Sequence, residues 1–254
     1  MKTLIKYDLI YLLKTKKFII FPAVFGIFAL LSPILAMYLP ELLNSLGSID
    51  GIVIQMPEPT VMDAYRQYFS DMNETILFII IFFSISMFIR DKTKGLYPMI
   101  FSKPIDRRKY ILSKFITSII LIFVSLLVGI IGFSAYTFIL FEEMAILPFL
   151  YSNLLLFVYF TFITSICLIF ATVNKSYFTA LLSSFAVYLI TVFLSVIRIA
   201  PFKYLPVRLS SLSIEIMADV AESGPLVYSL LLSILLITIL VISSIVLFNK
   251  QEVN

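Results

Sequence analysis

The chain has 254 residues, 61% of them hydrophobic and only 13% charged, with a net charge of +4, no His and one Cys; its mean hydropathy is +1.07. A soluble chain of this size needs a charged shell that this composition cannot supply, so the sequence belongs to the membrane class. Without His the usual zinc ligands are missing, and Cys167, alone inside an apolar run, forms no intrachain disulfide and reads as a small apolar filler.

Residues 1–17 are basic. At about 100° per residue, Lys2, Lys6, Lys16 and Lys17 gather on one side and Leu4, Tyr7 and Tyr11 face away, with Leu9 and Leu13 among the lysines. The stretch reads as an interfacial helix on the inner leaflet, its lysines reaching acidic lipid, or as a topogenic basic tail. The basic region is long and no small-x-small site follows the apolar run, so a cleaved signal peptide is not expected.

Six runs free of Asp, Glu, Lys, Arg and His follow: Phe18 to Leu39, Thr75 to Ile89, Phe115 to Phe141, Pro148 to Val173, Tyr177 to Ile197 and Leu226 to Phe248. At about 1.5 Å per residue most of them cross a hydrocarbon core of about 30 Å, and they are predicted as transmembrane helices. The second is short, with Tyr65 to Asn73 able to extend it as helix beyond the membrane. Before it, the loop Pro40 to Glu74 has an irregular half with Gly47, Gly51, Pro57 and Pro59, then a capping-box-like start at Thr60-Val61-Met62-Asp63. Its six acids against Arg66 read as a solvated face, with attraction of a basic peptide as the other reading.

Between the second and third runs lies Arg90 to Lys114, RDKTKGLYPMIFSKPIDRRKYILSK, where eight basic residues accompany Leu96, Tyr97, Met99, Ile100 and Phe101, and Gly95, Pro98 and Pro104 break the chain. A purely topogenic loop has no use for five large apolar side chains. They must cover something, either by folding back onto the membrane surface or by entering a groove on a soluble partner. Tyr97, Phe101 and Tyr110 among cations do not make a nucleic-acid site, because the stretch is pinned between two spans and topology accounts for its charge. The next two turns are short enough to make their helices antiparallel neighbours. Arg198 to Pro225, too short and interrupted to span, is expected to form one or two short helices at the outer interface, or a tethered loop anchored by Tyr204.

With both termini inside, the inner segments hold 15 of the 19 basic residues and the outer segments 11 of the 15 acids. The positive-inside rule thus places both termini in the cytoplasm. None of the seven glycines precedes a lysine, so no phosphate-cradling loop is present, and no acid pair lies within the runs for intramembrane hydrolysis. Ser84, Ser86, Ser118, Ser125, Ser134, Thr161, Thr164, Ser165, Ser183, Ser184 and Thr191 read as helix-packing or path-lining groups.

Asp91-Lys92-Thr93-Lys94-Gly95, then Ser102-Lys103-Pro104-Ile105-Asp106-Arg107-Arg108-Lys109-Tyr110 and Lys114-Phe115, resemble the loop between the second and third spans of type-2 ATP-binding-cassette (ABC) exporter permeases. Ala200-Pro201-Phe202-Lys203-Tyr204-Leu205 is similar to the Pro-Phe-Lys-Tyr element of such permeases, and Phe248-Asn249-Lys250-Gln251-Glu252-Val253 to their ending. The family's loops often place Glu and Thr around the Gly, where this chain has Lys94-Gly95-Leu96. The resemblance implies an all-α, six-span permease domain over residues 1–254, with an interfacial helix (1–17), a cytosolic coupling loop (90–114) and an outer re-entrant segment (198–225).

It also implies a second permease subunit, in a homodimer or heterodimer, and two copies of a cytosolic ATPase subunit that bind ATP and Mg, with no cofactor in this chain. The implied ATPase-facing residues are Lys92, Lys94, Leu96, Tyr97, Met99, Ile100, Phe101, Asp106, Arg107 and Arg108, and the membrane-surface residues are Lys2, Lys6, Lys16 and Lys17. The expected location is the plasma membrane, and the expected cargo an amphipathic or hydrophobic molecule, best a peptide. An ion-driven carrier and a non-transporting immunity or scaffold protein are the alternatives. Against the first, no apolar run carries an ionisable residue.

Overall fold

The computed structural model describes residues 1–46, 58–102, 104–197 and 202–251, with the side chains of 41–46 excepted. Gly47, Gly51, Pro57, Lys103, Arg198, Pro201, Glu252 and Val253 lie outside the described residues.

The described residues form ten α-helices and no strand: α1 (Lys2–Lys14), α2 (Lys17–Leu46), α3 (Val61–Asp71), α4 (Leu77–Thr93), α5 (Tyr97–Phe101), α6 (Arg107–Phe141), α7 (Ile146–Val173), α8 (Tyr177–Val196), α9 (Arg208–Met217) and α10 (Ser223–Lys250). A π-helical turn, Met72–Ile76, joins α3 to α4, and a 3₁₀ turn, Phe202–Tyr204, precedes α9. Six helical segments are long and apolar enough to cross a membrane: Lys17–Pro40, Val61–Thr93, Arg107–Phe141, Ile146–Val173, Tyr177–Val196 and Ser223–Lys250. Each contains one of the six charge-free runs, except that the fifth run's last residue, Ile197, lies just past its helix.

The helices exceed the runs where polar residues can cap or extend them. The second span begins at Thr60, whose backbone N–H and hydroxyl both donate to the Asp63 carboxylate (3.0 and 2.7 Å). It then runs through the π turn into α4, because Ala64, Tyr65, Tyr68 and Phe69 give α3 an apolar face to bury. At the other end of α6, Glu142 adopts a left-handed conformation (φ 59°) and closes the helix, its N–H donating to the Phe138 carbonyl.

Helix α7 is the hub, packing against α4, α6, α8, α9 and α10. Helices α2 and α6 approach closely through small residues: a methyl group at Gly26 would lie 3.2 Å from Val128, and Gly129 sits over Ala29. Helices α8 and α10 leave most of their apolar surface exposed, as lipid-facing or subunit-facing helices do. Helix α1, α5 and the last turn of α10 gather at one end of the bundle, here termed the basic end.

At the opposite end, Tyr65, Tyr68, Phe133 and Phe149 form a buried aromatic layer, with Phe133 and Phe149 stacked at 4.8 Å. The Tyr68 hydroxyl donates to Asn153 Oδ1 (2.7 Å). Helix α9 locks onto α7 through a reciprocal pair: Ser152 donates to the Ser213 carbonyl (2.9 Å), and Ser213 to the Ser152 carbonyl (3.0 Å). Asp71 accepts from Ser32 (2.8 Å) and Gln67 (3.0 Å), neutral donors rather than cations.

Candidate coupling site at the basic end

The elbow between α4 and α6 starts with a helix stop that only Gly makes comfortably. Gly95 sits at φ 63°, with its N–H on the Lys92 carbonyl (3.1 Å) and the Leu96 N–H on the Asp91 carbonyl (2.8 Å). This paired closure turns the chain sharply into α5. Helix α6 then starts at Asp106, whose carboxylate accepts from the Arg108 N–H (2.9 Å). The elbow is therefore fixed at both hinges.

The five apolar residues of the elbow divide by direction. Tyr97 and Phe101 point inward and, with Tyr110 of α6 and Phe248 of α10, form an aromatic cluster with ring centroids 5.4–6.2 Å apart. Ile100 packs partly against the core and Leu96 is half-buried. Met99 points the other way and is 74% exposed. Most of the cover that this segment provides is thus for its own bundle, and Met99 is what it shows to the outside.

The charged residues divide similarly. Arg107 donates to the backbone carbonyls of Gln251 (2.8 Å) and Asn249 (3.3 Å), fastening the end of α10. Lys92 donates to the Thr172 carbonyl at the end of α7 (2.7 Å), which also accepts from Gln251 Nε2 (2.8 Å). Lys94, Asp106 and Arg108 are exposed. Of the α1–α2 lysines, Lys2, Lys6 and Lys16 are exposed, whereas Lys17 is half-buried and donates to Ser86 (3.3 Å).

Beneath the elbow lies a buried ion cluster that the sequence reading missed. Asp91 binds Arg90 Nε (2.6 Å), Lys114 Nζ (2.8 Å) and the Tyr110 hydroxyl (2.7 Å). Asp8 of α1 joins from the side, 3.3 Å from Lys114 and 3.6 Å from Arg90. The Arg90 guanidinium also lies over the Tyr11 ring at 3.7 Å. Asp91 and Lys114 are each only 1% exposed, and two acids face two bases, so the cluster is neutral. Burial pushes the Asp8 carboxyl up from its ordinary range, because Lys114 and Arg90 are held more closely by Asp91 and pull it down only in part.

Helix α1 is accordingly turned differently from its sequence expectation. Tyr7 is exposed, and Asp8 with Leu12 forms the buried face, since the lone acid of the segment needs its counter-ions. Two signals pointed there: Asp8 is the only acid in the first forty residues, and Tyr110 and Lys114 are one turn apart on α6. Of the span hydroxyls, Ser86 accepts from Lys17 of α2. Ser125, Thr161, Thr164, Ser165, Ser183 and Thr191 bond carbonyls of their own helices rather than a neighbour's.

An all-α bundle with six membrane-length helices defines a multi-pass membrane protein. The family model described as ABC-2 family transporter protein matches residues 3–253, and the chain belongs to that family. It is a type-2 ABC permease subunit. Such permeases are in general the non-catalytic membrane component of an ABC transporter and work with an ATP-binding partner. A comparison with curated proteins finds no match.

Proposed function

We propose that the chain is the permease half of an ABC exporter in the plasma membrane, with its basic end and both termini in the cytosol. Two permease subunits, identical or different, enclose a path, and two ATPase subunits drive them, binding the ATP and Mg. The concentration of Lys and Arg at the basic end supports this orientation. Exposed Tyr7, Ile10 and Leu13 on α1 beside Lys2, Lys6 and Lys16 suit an inner-leaflet surface helix.

One observation carries the coupling role: α5 is clamped by aromatic contacts and capped helices, yet it holds Met99 outward, flanked by exposed Lys94 and Arg108. A knob on a rigid lever is what an ATPase cleft needs to move a bundle. The Met99→Glu variant is expected to insert and fold like the parent and to lose at least tenfold of its stimulation of the ATPase partner. Full stimulation with Glu at this position would remove α5 from the coupling role.

For the cargo, the exposed faces of α8 and α10 are apolar, and the hydroxyls of Ser183, Thr191 and Thr238 turn back on their own helices. Among the described residues no ionised group faces outward midway along these two helices to neutralise a bare charge. This suits an amphipathic or hydrophobic substrate moved outward, a peptide in our reading. ATPase stimulation compared across amphipathic peptides, lipids and sugars tests it, with peptides expected to stimulate most.

A further inference from the structure

The end of the bundle opposite the ion cluster contains a cavity of about 710 Å³ between α8 and α10. Its walls are Ser195 and Val196 at the end of α8, Lys203 and Tyr204 of the 3₁₀ turn, Arg208 at the start of α9, and Pro225 at the start of α10. The volume is that of an ordinary small-ligand site. Nothing in the exporter reading uses it.

Two cationic side chains line the cavity. Arg208 is held in place by Glu215 (2.8 Å) and Ser211 (2.9 Å), so its guanidinium is presented at a fixed position. Lys203 makes no ion pair among the described residues; its ammonium lies 4.7 Å from the Tyr204 ring centroid. The surroundings sharpen the contrast. Among the described side chains this end holds nine acids and three bases, and two of the bases, Lys203 and Arg208, line the cavity. Glu215 offsets the charge of Arg208, so Lys203 leaves the cavity one net positive charge in otherwise acidic surroundings.

The apolar surface next to the cavity selects what kind of anion. Phe193 and Val196 of α8 are 74% and 72% exposed, and Val227, Tyr228 and Leu231 of α10 are also exposed. Tyr204 and Tyr228 pack together at 5.4 Å, the placement expected of aromatic side chains at a membrane–water boundary. A ligand on Lys203 and Arg208 thus has an exposed apolar strip beside it. We propose that this cavity binds the phosphate head group of a membrane lipid from the leaflet at that end, with the lipid's chains lying along α8 and α10. Lysine supplies a point charge to the phosphate and the fixed guanidinium a second donor set.

The test uses the purified full-length permease in detergent, without an ATPase partner, so its outcome is separate from that of the exporter reading. Retention of phosphatidylglycerol is followed by native mass spectrometry and by the thermal midpoint, beside diacylglycerol, which has chains but no phosphate, and inorganic phosphate, which has no chains. Phosphatidylglycerol is expected to bind saturably and both controls weakly. Lys203→Gln should weaken lipid binding about tenfold, and Lys203→Arg should restore most of it. Lys109→Gln, which removes an exposed lysine at the basic end, should leave binding unchanged. Equal binding of diacylglycerol, or an unchanged titration in Lys203→Gln, overturns the site. Inorganic phosphate binding as tightly as the lipid overturns the lipid as occupant.

Discussion

The two ends of this bundle solve the same packing problem with different chemistry. At the basic end, three elements far apart in sequence, α1, α4 and α6, are joined by ionised groups: Asp8, Arg90, Asp91 and Lys114, with the Tyr110 hydroxyl. At the opposite end, α3, α7 and α9 are joined by an aromatic layer and by neutral hydrogen bonds between Tyr68 and Asn153 and between Ser152 and Ser213. A buried ion cluster is expensive to break and indifferent to apolar area, whereas an aromatic layer tolerates the loss of one hydrogen bond. The end that carries the α5 elbow is thus the one whose helices are tied together by ionised groups.

The largest expected effect lies in the cluster. Lys114→Met leaves Asp8 and Asp91 with Arg90 as their only cation, and removing one partner of a buried ion network costs about 3–5 kcal/mol. The thermal midpoint of the purified protein should fall accordingly. Adding Asp8→Asn to Lys114→Met should recover a large share of the loss, since it removes one of the stranded charges. A loss below about 1 kcal/mol in the single variant would mean that the cluster does not bind the three helices as argued.

The counterpart at the opposite end is smaller. Tyr68→Phe keeps the ring in its layer and removes only the donor to Asn153 Oδ1, while Asn153 Nδ2 keeps its bond to the Phe149 carbonyl (2.9 Å). The expected cost is about 1–2 kcal/mol, within the range of buried hydrogen bonds in soluble and membrane proteins. If this variant proved as damaging as Lys114→Met, the contrast between the ends would vanish.

The same contrast explains what could be read in advance. The six spans were legible because a charge inside hydrocarbon costs so much that its absence over twenty residues is a signal in itself. The extension of the second span over Tyr65 to Asn73 was legible too, since its apolar residues recur at helical spacing. What local pattern could not reveal was pairing across distance: Lys114 and Asp8 are 106 positions apart, and no periodicity links them. Arg90 and Lys114 sit where topology alone accounts for a basic residue, which concealed their partners. In the elbow, composition announced that five apolar residues cover something. Only the placement of Phe248 beside Tyr97, Phe101 and Tyr110 shows that the bundle itself takes most of them and leaves Met99 outside.

The smallest effect distinguishes the two acids of the cluster. Asp91 is gripped at 2.6–2.8 Å by Arg90, Lys114 and Tyr110, whereas Asp8 sits 3.3 and 3.6 Å from cations already engaged. The groups facing Asp8 are Lys114 on α6, Arg90 and Asp91 on α4, and its burial among them raises its carboxyl above the ordinary value. A raised acid favours the docked helix when protonated. Its contribution is therefore complete below the ordinary Asp range and is lost as pH rises through the raised value. Docking of α1 should weaken modestly as pH rises above the ordinary Asp range and through the raised value. Hydrogen exchange at the Leu12 amide, corrected for the intrinsic pH dependence of exchange, should show protection falling over that interval. Asp8→Asn, which keeps the shape and removes the titration, should flatten the profile with little loss of stability. A profile that keeps its slope in that variant would assign the titration to another member of the cluster and make Asp8 an equal partner of Asp91.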